Sequence, residues 1–154
     1  MEFLAYQHLI KIFLALFFAI LFLQSGLDKI IDWKGNLSWL KGHFSKTFLK
    51  NQVPLLLAVV TLTETASGVL SAVGVLEIIF SLKSNLAYYG AVLSALSILM
   101  LFFGQRIAKD YAGAATLVPY FLASLVAMFF LSWKVILEIS TKIDIFLTSR
   151  VYNS

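Results

Sequence analysis

A single carboxylate stands in the middle of a long apolar run. Glu64 lies within residues 53–76, VPLLLAVVTLTETASGVLSAVGVL. A bilayer-spanning helix needs ~20 apolar residues, and this run has that length. Glu64 is ten residues beyond Pro54, which at the helical rise places it roughly 15 Å along the helix, near the midplane of the hydrocarbon. An acid at that depth must face a partner, water or a proton, and it marks a functional site or an essential buried pair. Thr61, Glu64, Gly68 and Ser71 recur at spacings of three and four, so one helix face carries them all. The small members of that face admit a close neighbour, and Gly68 and Ser71 are read as packing positions.

The other residues capable of chemistry gather at span ends. Asp28 and Lys29 close the first apolar run, while Gln105, Arg106, Lys109 and Asp110 close the third. Tyr120 lies early in the fourth. Counting spans puts all of these on the side from which the Glu64 span enters. The expectation is a polar funnel, with charges at the mouth and one acid at the bottom. Lys29 is the preferred partner of Glu64, because its long stem can follow the funnel inward as well as outward. Arg106 and Asp110 have the spacing of an i, i+4 pair. The plainer reading makes Asp28, Lys29, Arg106 and Lys109 solvated or snorkelling helix ends, and Tyr120 an interfacial aromatic. Glu77, at a span end, is read as solvated.

Several chemistries are excluded by residue type. The chain has no cysteine, so it has no disulfide, thiol couple or thiolate metal site of its own. His8 and His43 fall outside the apolar runs, which leaves no bis-histidine haem site within the membrane. No clustered metal ligands, phosphate-binding glycine loop or nucleophile motif is visible. Any redox chemistry must draw electrons from a partner or a bound quinone.

The elements that position these residues follow from composition. Of 154 residues, 60% are hydrophobic and 13% charged, with a mean hydropathy of +0.91. Soluble domains carry about 25% charged residues. The chain is therefore expected to be an all-α integral membrane protein. A single domain over residues 1–154 holds an up-down bundle of four transmembrane helices, at about 9–27, 54–76, 86–103 and 116–139. Pro119 is read as lying near the start of the fourth helix, where its missing N–H costs little. Lys11 before Ile12–Leu23 suggests a leader, but Leu23 occupies the −3 position of a cut after Ser25; the segment reads as a retained span. The net charge of +4 points to anionic lipid headgroups rather than nucleic acid, because the basic residues sit between apolar runs. Lys29, Lys34, Lys41, Lys46, Lys50, Arg106 and Lys109 fall on one side, with Lys11, Lys83, Lys134, Lys142 and Arg150 on the other. That imbalance is too small to fix orientation.

The connector Lys34–Gln52 is long for a bundle loop. Leu37, Leu40, Phe44 and Phe48 can share a helix face among lysines. It reads as a short interfacial helix, or alternatively as a docking surface or a lid over the bundle. The tail Thr141–Ser154 mixes apolar and charged residues and is expected at the interface.

Three stretches carry a resemblance. FLQSGLDKIIDW closing the first span, ETASGVLSAVGVL in the second and GQRIAKDYAGAA after the third resemble the DoxX family. Gly26, Lys29, Glu64 and Gly68 match its Phe–Gly–Lys and Glu-x-x-x-Gly patterns. The resemblance implies a four-helix membrane protein related to the small subunit of thiosulfate:quinone oxidoreductase, in a bacterial inner membrane. Some relatives pair this fold with cysteine-based redox modules, which this chain lacks. The implied function is a membrane subunit or accessory of a redox- or quinone-linked complex, with a membrane protein partner. Two alternatives stand beside it. One is an assembly factor holding a partner's segment against the small-residue face. The other is a small-solute or proton pathway with Glu64 as relay.

Overall fold

The computed structural model describes residues 2–132, with side-chain environments from Tyr6 onward. The described residues form five helices: α1 (Glu2–Ile31), α2 (Trp33–His43), α3 (Val53–Ser81), α4 (Asn85–Ile107) and α5 (Tyr111–Leu131). All but α2 are long and apolar enough to cross a membrane. They form an all-helical, four-helix bundle, the layout of a multi-pass membrane protein. Chain neighbours pack side by side, α1 on α3, α3 on α4 and α4 on α5, and narrower contacts of α1 with α4 and α5 close the bundle.

The helices run past the apolar stretches because polar residues start and stop them. Asp32 accepts a 3.0 Å hydrogen bond from Gly35 N, which starts α2 directly after α1. Such a cap satisfies one of the N–H groups that a helix start leaves without an internal partner. Asp110 does the same for α5, accepting from Gly113 N at 2.8 Å. The fourth span therefore begins at Tyr111, five residues before the expected Thr116. Pro119 consequently lies inside α5 rather than near its start, where it removes an internal backbone hydrogen bond. Membrane helices tolerate that loss where neighbours or side chains re-satisfy the carbonyl. The expected end of this span at Ile139 and the tail from Thr141 lie outside the described residues.

Glu77 corrects a second expectation. Its Oε2 accepts from Leu86 N at 2.8 Å, so it caps the start of α4 across the α3–α4 turn instead of facing solvent. Ser84 Oγ in the same turn donates to Leu131 O at 2.8 Å, tying the turn to the far end of α5. Leu82 and Lys109 sit at φ 56° and 59°. Both take the left-handed conformation in which helices often terminate, although neither is the glycine that adopts it without cost.

Small residues set how closely the helices approach. Ala87, Ala91 and Ala127 are buried against Phe18, Phe22 and Ile78 in the main core. Gly68 presses on the α1 backbone, where an added Cβ would stand 2.6 Å from Leu23 N. Gly26 meets Thr65 on the same seam, and Gly74 meets the backbone of Ala87 on the α3–α4 seam. In lipid, helices gain little from hydrophobicity against one another, so close contact across such residues supplies the attraction.

The connector combines two of its expected readings. α2 has no buried residue, as suits an interfacial helix. Directly after it the chain turns inward, and Phe44, Leu49 and Val53 form a buried cluster flanked by Leu37, Leu40, Leu56 and Ile107. Phe48 leaves the expected face and is exposed, because α2 ends at His43 and the helical register ends with it. The connector thus covers the end of the bundle at which α3 begins and α4 finishes.

Candidate functional site

Lys29 and Glu64 form a direct ion pair. Lys29 reaches back one turn along α1, and its Nζ lies 2.7 Å from Glu64 Oε2. Ser25, one turn before Lys29, completes the group. Its Oγ accepts from Lys29 at 2.7 Å and donates to Glu64 Oε2 at 3.0 Å, while Ser25 O accepts from Lys29 at 3.2 Å. The three N–H donors of the ammonium are therefore matched by three acceptors. A charge pair away from water is stable only when its remaining hydrogen-bonding capacity is met in this way. Burial is unequal, with the Lys29 side chain 18% exposed and Glu64 fully enclosed. Glu64 Oε1 has no hydrogen-bond partner among the described residues.

Lys29 of the pair borders a cavity. A space of about 260 Å³ lies under the connector, walled by Phe44, Leu49, Val53, Leu56, Leu57, Val60, Met100, Leu101 and Phe103. Its polar edge is made by Lys29, Asn36, Trp39, His43 and Gln105. His43 Nε2 lies 2.9 Å from Gln105 Oε1, joining the end of α2 to the end of α4. Trp39 stacks on the His43 ring at 4.7 Å. These contacts hold the connector over the cavity. The walls are apolar and the polar groups few, which is the usual make-up of a small-molecule site.

A second polar line runs along the other side of α3. Ser67 Oγ lies 2.7 Å from Ser94 Oγ, and each hydroxyl also reaches Gly90 O, at 3.0 and 2.9 Å. Ser71 lies one turn further, against Gly90.

Comparison with family models, with curated proteins and with solved structures finds no match.

The expected funnel is corrected in most of its members. Asp28 is exposed and makes no hydrogen bond or ion pair with Lys29 or Glu64. Arg106 and Asp110 do not pair with one another: Arg106 lies over the Tyr111 ring at 4.7 Å, and Asp110 is spent on its cap. The α4 helix ends between them, so the i, i+4 spacing is not carried by one helix. Tyr120 stacks on Phe17 at 6.4 Å on the outer surface, away from Glu64. Gly26, Gly68 and Ser71 are all interhelical contacts. The cavity beside Lys29 is mostly apolar, with Lys29 as its charged lining residue.

Gln105, expected in the funnel, lies at the cavity edge, whereas Ser25 and His43 carried no expectation as site residues. Ser25 had a signal, since it lies one turn before Lys29 on a helix. His43 had none, because its partner Gln105 is 62 residues away in the chain.

Proposed function

We propose that this chain is a DoxX-like membrane subunit or accessory of a redox- or quinone-linked complex, placed in a bacterial inner membrane beside a protein partner. In this reading the cavity takes the head of a lipid-soluble quinone. The observation that carries it is the apolar cavity of about 260 Å³ beside the Lys29–Glu64 pair. That volume suits a ring-sized head group rather than a whole lipid, and typical ligand pockets begin at about 300 Å³. Trp39, Asn36 and Gln105 carry N–H groups able to meet quinone carbonyls. Lys29, with its donors matched inside the protein, would act through its charge. Electrons would come from the partner, because the chain supplies no thiol.

Two features weigh against the alternatives. The small-residue face at Gly68 and Gly74 is filled by α1 and α4 of the same chain, which leaves that face no room for a partner's segment. Glu64 is joined to a lysine rather than standing alone as a relay.

The test uses Trp39 as reporter. A short-chain quinone added to the purified protein should quench tryptophan fluorescence saturably. Trp39→Phe should remove the saturable part, and bulk introduced at Gly104, which faces Phe44, should weaken it. Quenching that rises linearly in all three proteins would refute the site.

A further inference from the structure

Three buried side-chain oxygens on the facing helices α3 and α4 have no partner among the described residues. One is Ser71 Oγ, which lies against Gly90. The others are Glu64 Oε1 and Ser97 Oγ, each enclosed. The helix register brings their residues level. Ser67 lies opposite Ser94, Ser71 opposite Gly90, and Gly74 opposite Ala87. Each step of three or four along α3 is matched by an equal step back along α4. One further step from Ser67 and Ser94 reaches Glu64 and Ser97. Both residues stay on the contacting faces, because spacings of three and four hold a helix face.

A carboxylate oxygen and a hydroxyl are not left unsatisfied in a low-dielectric interior without cost. Burying an unpaired polar group costs on the order of 1–3 kcal/mol by mutational measures, and two groups at one level would double that. Protein interiors resolve such a pair by a bound water with two or more polar partners. Here the water would donate to Glu64 Oε1 and exchange a hydrogen bond with Ser97 Oγ. Water is favoured over a metal cation because the carboxylate charge is already matched by Lys29 at 2.7 Å.

We infer that the α3–α4 seam holds an internal water between Glu64 and Ser97, which makes Ser97 a positioning residue for the Glu64 carboxyl group. The site goes beyond the quinone reading and does not depend on it. It joins α4 to a charged centre that otherwise links only α1 and α3. It also explains why Ser97 is kept polar where its neighbour Ile98 packs in the apolar core.

Infrared difference spectroscopy on the full chain in lipid nanodiscs tests this. Wild type minus Ser97→Val should show a water O–H stretching band that moves to lower frequency in heavy-oxygen water. The same difference should show a displaced Glu64 carboxyl band, identified by its loss in Glu64→Gln. Ser97→Ala gives the carboxyl displacement independently if Ser97→Val does not fold. A purely structural serine would leave that band in place. The absence of a heavy-oxygen-sensitive band overturns the inference, and so does an unmoved carboxyl band. A carboxyl band that moves only when sodium is added assigns the site to a cation and overturns it too.

Discussion

Where α3 faces α1, a carboxylate meets an ammonium and a hydroxyl; where it faces α4, two serine hydroxyls share one carbonyl. Both seams are closed by glycines and both lie inside the bundle. They differ in what happens when one partner is removed. A neutral hydrogen bond contributes about 1 kcal/mol net, and its loss leaves a small dipole. A charge that loses its partner has no such fallback, and breaking a buried pair costs about 3–5 kcal/mol. One face of the helix is therefore tolerant and the other is not, although the sequence ETASGVLS writes both in the same short alphabet.

The largest expected effect breaks the charged seam. Lys29→Met should destabilise by about 3–5 kcal/mol, because Glu64 is fully enclosed and pairs with no other cation among the described residues. Glu64→Gln should cost less, since Lys29 is 18% exposed at the cavity edge and keeps both Ser25 acceptors. The double variant should be less damaging than the summed singles. Thermal unfolding in detergent measures all three, and additive losses would mean that the pair does not act as a unit.

Glycine packing comes next and asks whether the two seams are equally tight. Gly68→Leu should cost about 1–3 kcal/mol through overpacking, as its side chain must displace the α1 backbone at Leu23. Val69→Leu, on the exposed face, should be near neutral. Gly74→Leu should match Gly68→Leu, because it meets the Ala87 backbone just as closely. A clearly smaller loss at Gly74 would show the serine seam to be the looser one.

Ser67→Ala measures the neutral seam directly. Ser94 keeps its bond to Gly90 O, so the loss should be about 1 kcal/mol, well short of Lys29→Met. A loss as large as that of the charge pair would erase the distinction between the seams.

The smallest effects are expected at the charges that stand outside both seams. Asp110→Ala removes a helix cap and should cost about 1 kcal/mol. Arg106→Ala loses only its contact with Tyr111, worth about 0.5–1 kcal/mol at an exposed site. Unfolding curves of these variants against Lys29→Met test whether the charges at the α4–α5 turn stand outside the polar centre. A large loss at Arg106 would restore it to the centre.

The sequence was enough for the number of apolar spans and for the buried face that Glu64 shares with Thr61, Gly68 and Ser71. These are local quantities: hydropathy counts residues against a fixed bilayer thickness, and helical spacing fixes a face without any neighbour. Lys29 was legible as the partner of Glu64 because chain parity and stem length limit which cations can reach that carboxylate. Helix limits were less so. Asp110 and Glu77 looked like charges at span ends, and their capping bonds depend on backbone N–H groups that a polarity pattern does not display.

Tertiary structure decided the rest. Asp28 lies next to Lys29 in sequence yet points away, because adjacent helical residues are about 100° apart around the axis. Ser25, one turn back, took the place that the charge pattern offered to Asp28. The cavity exists only because Phe44, Leu49 and Val53 fold the connector over the ends of α3 and α4. The level of Ser97 with Glu64 follows from an α3–α4 register that is set by glycine contacts at Gly74 and Gly90. Such registers rest on which backbones approach most closely, and that is a property of two helices together rather than of either sequence alone.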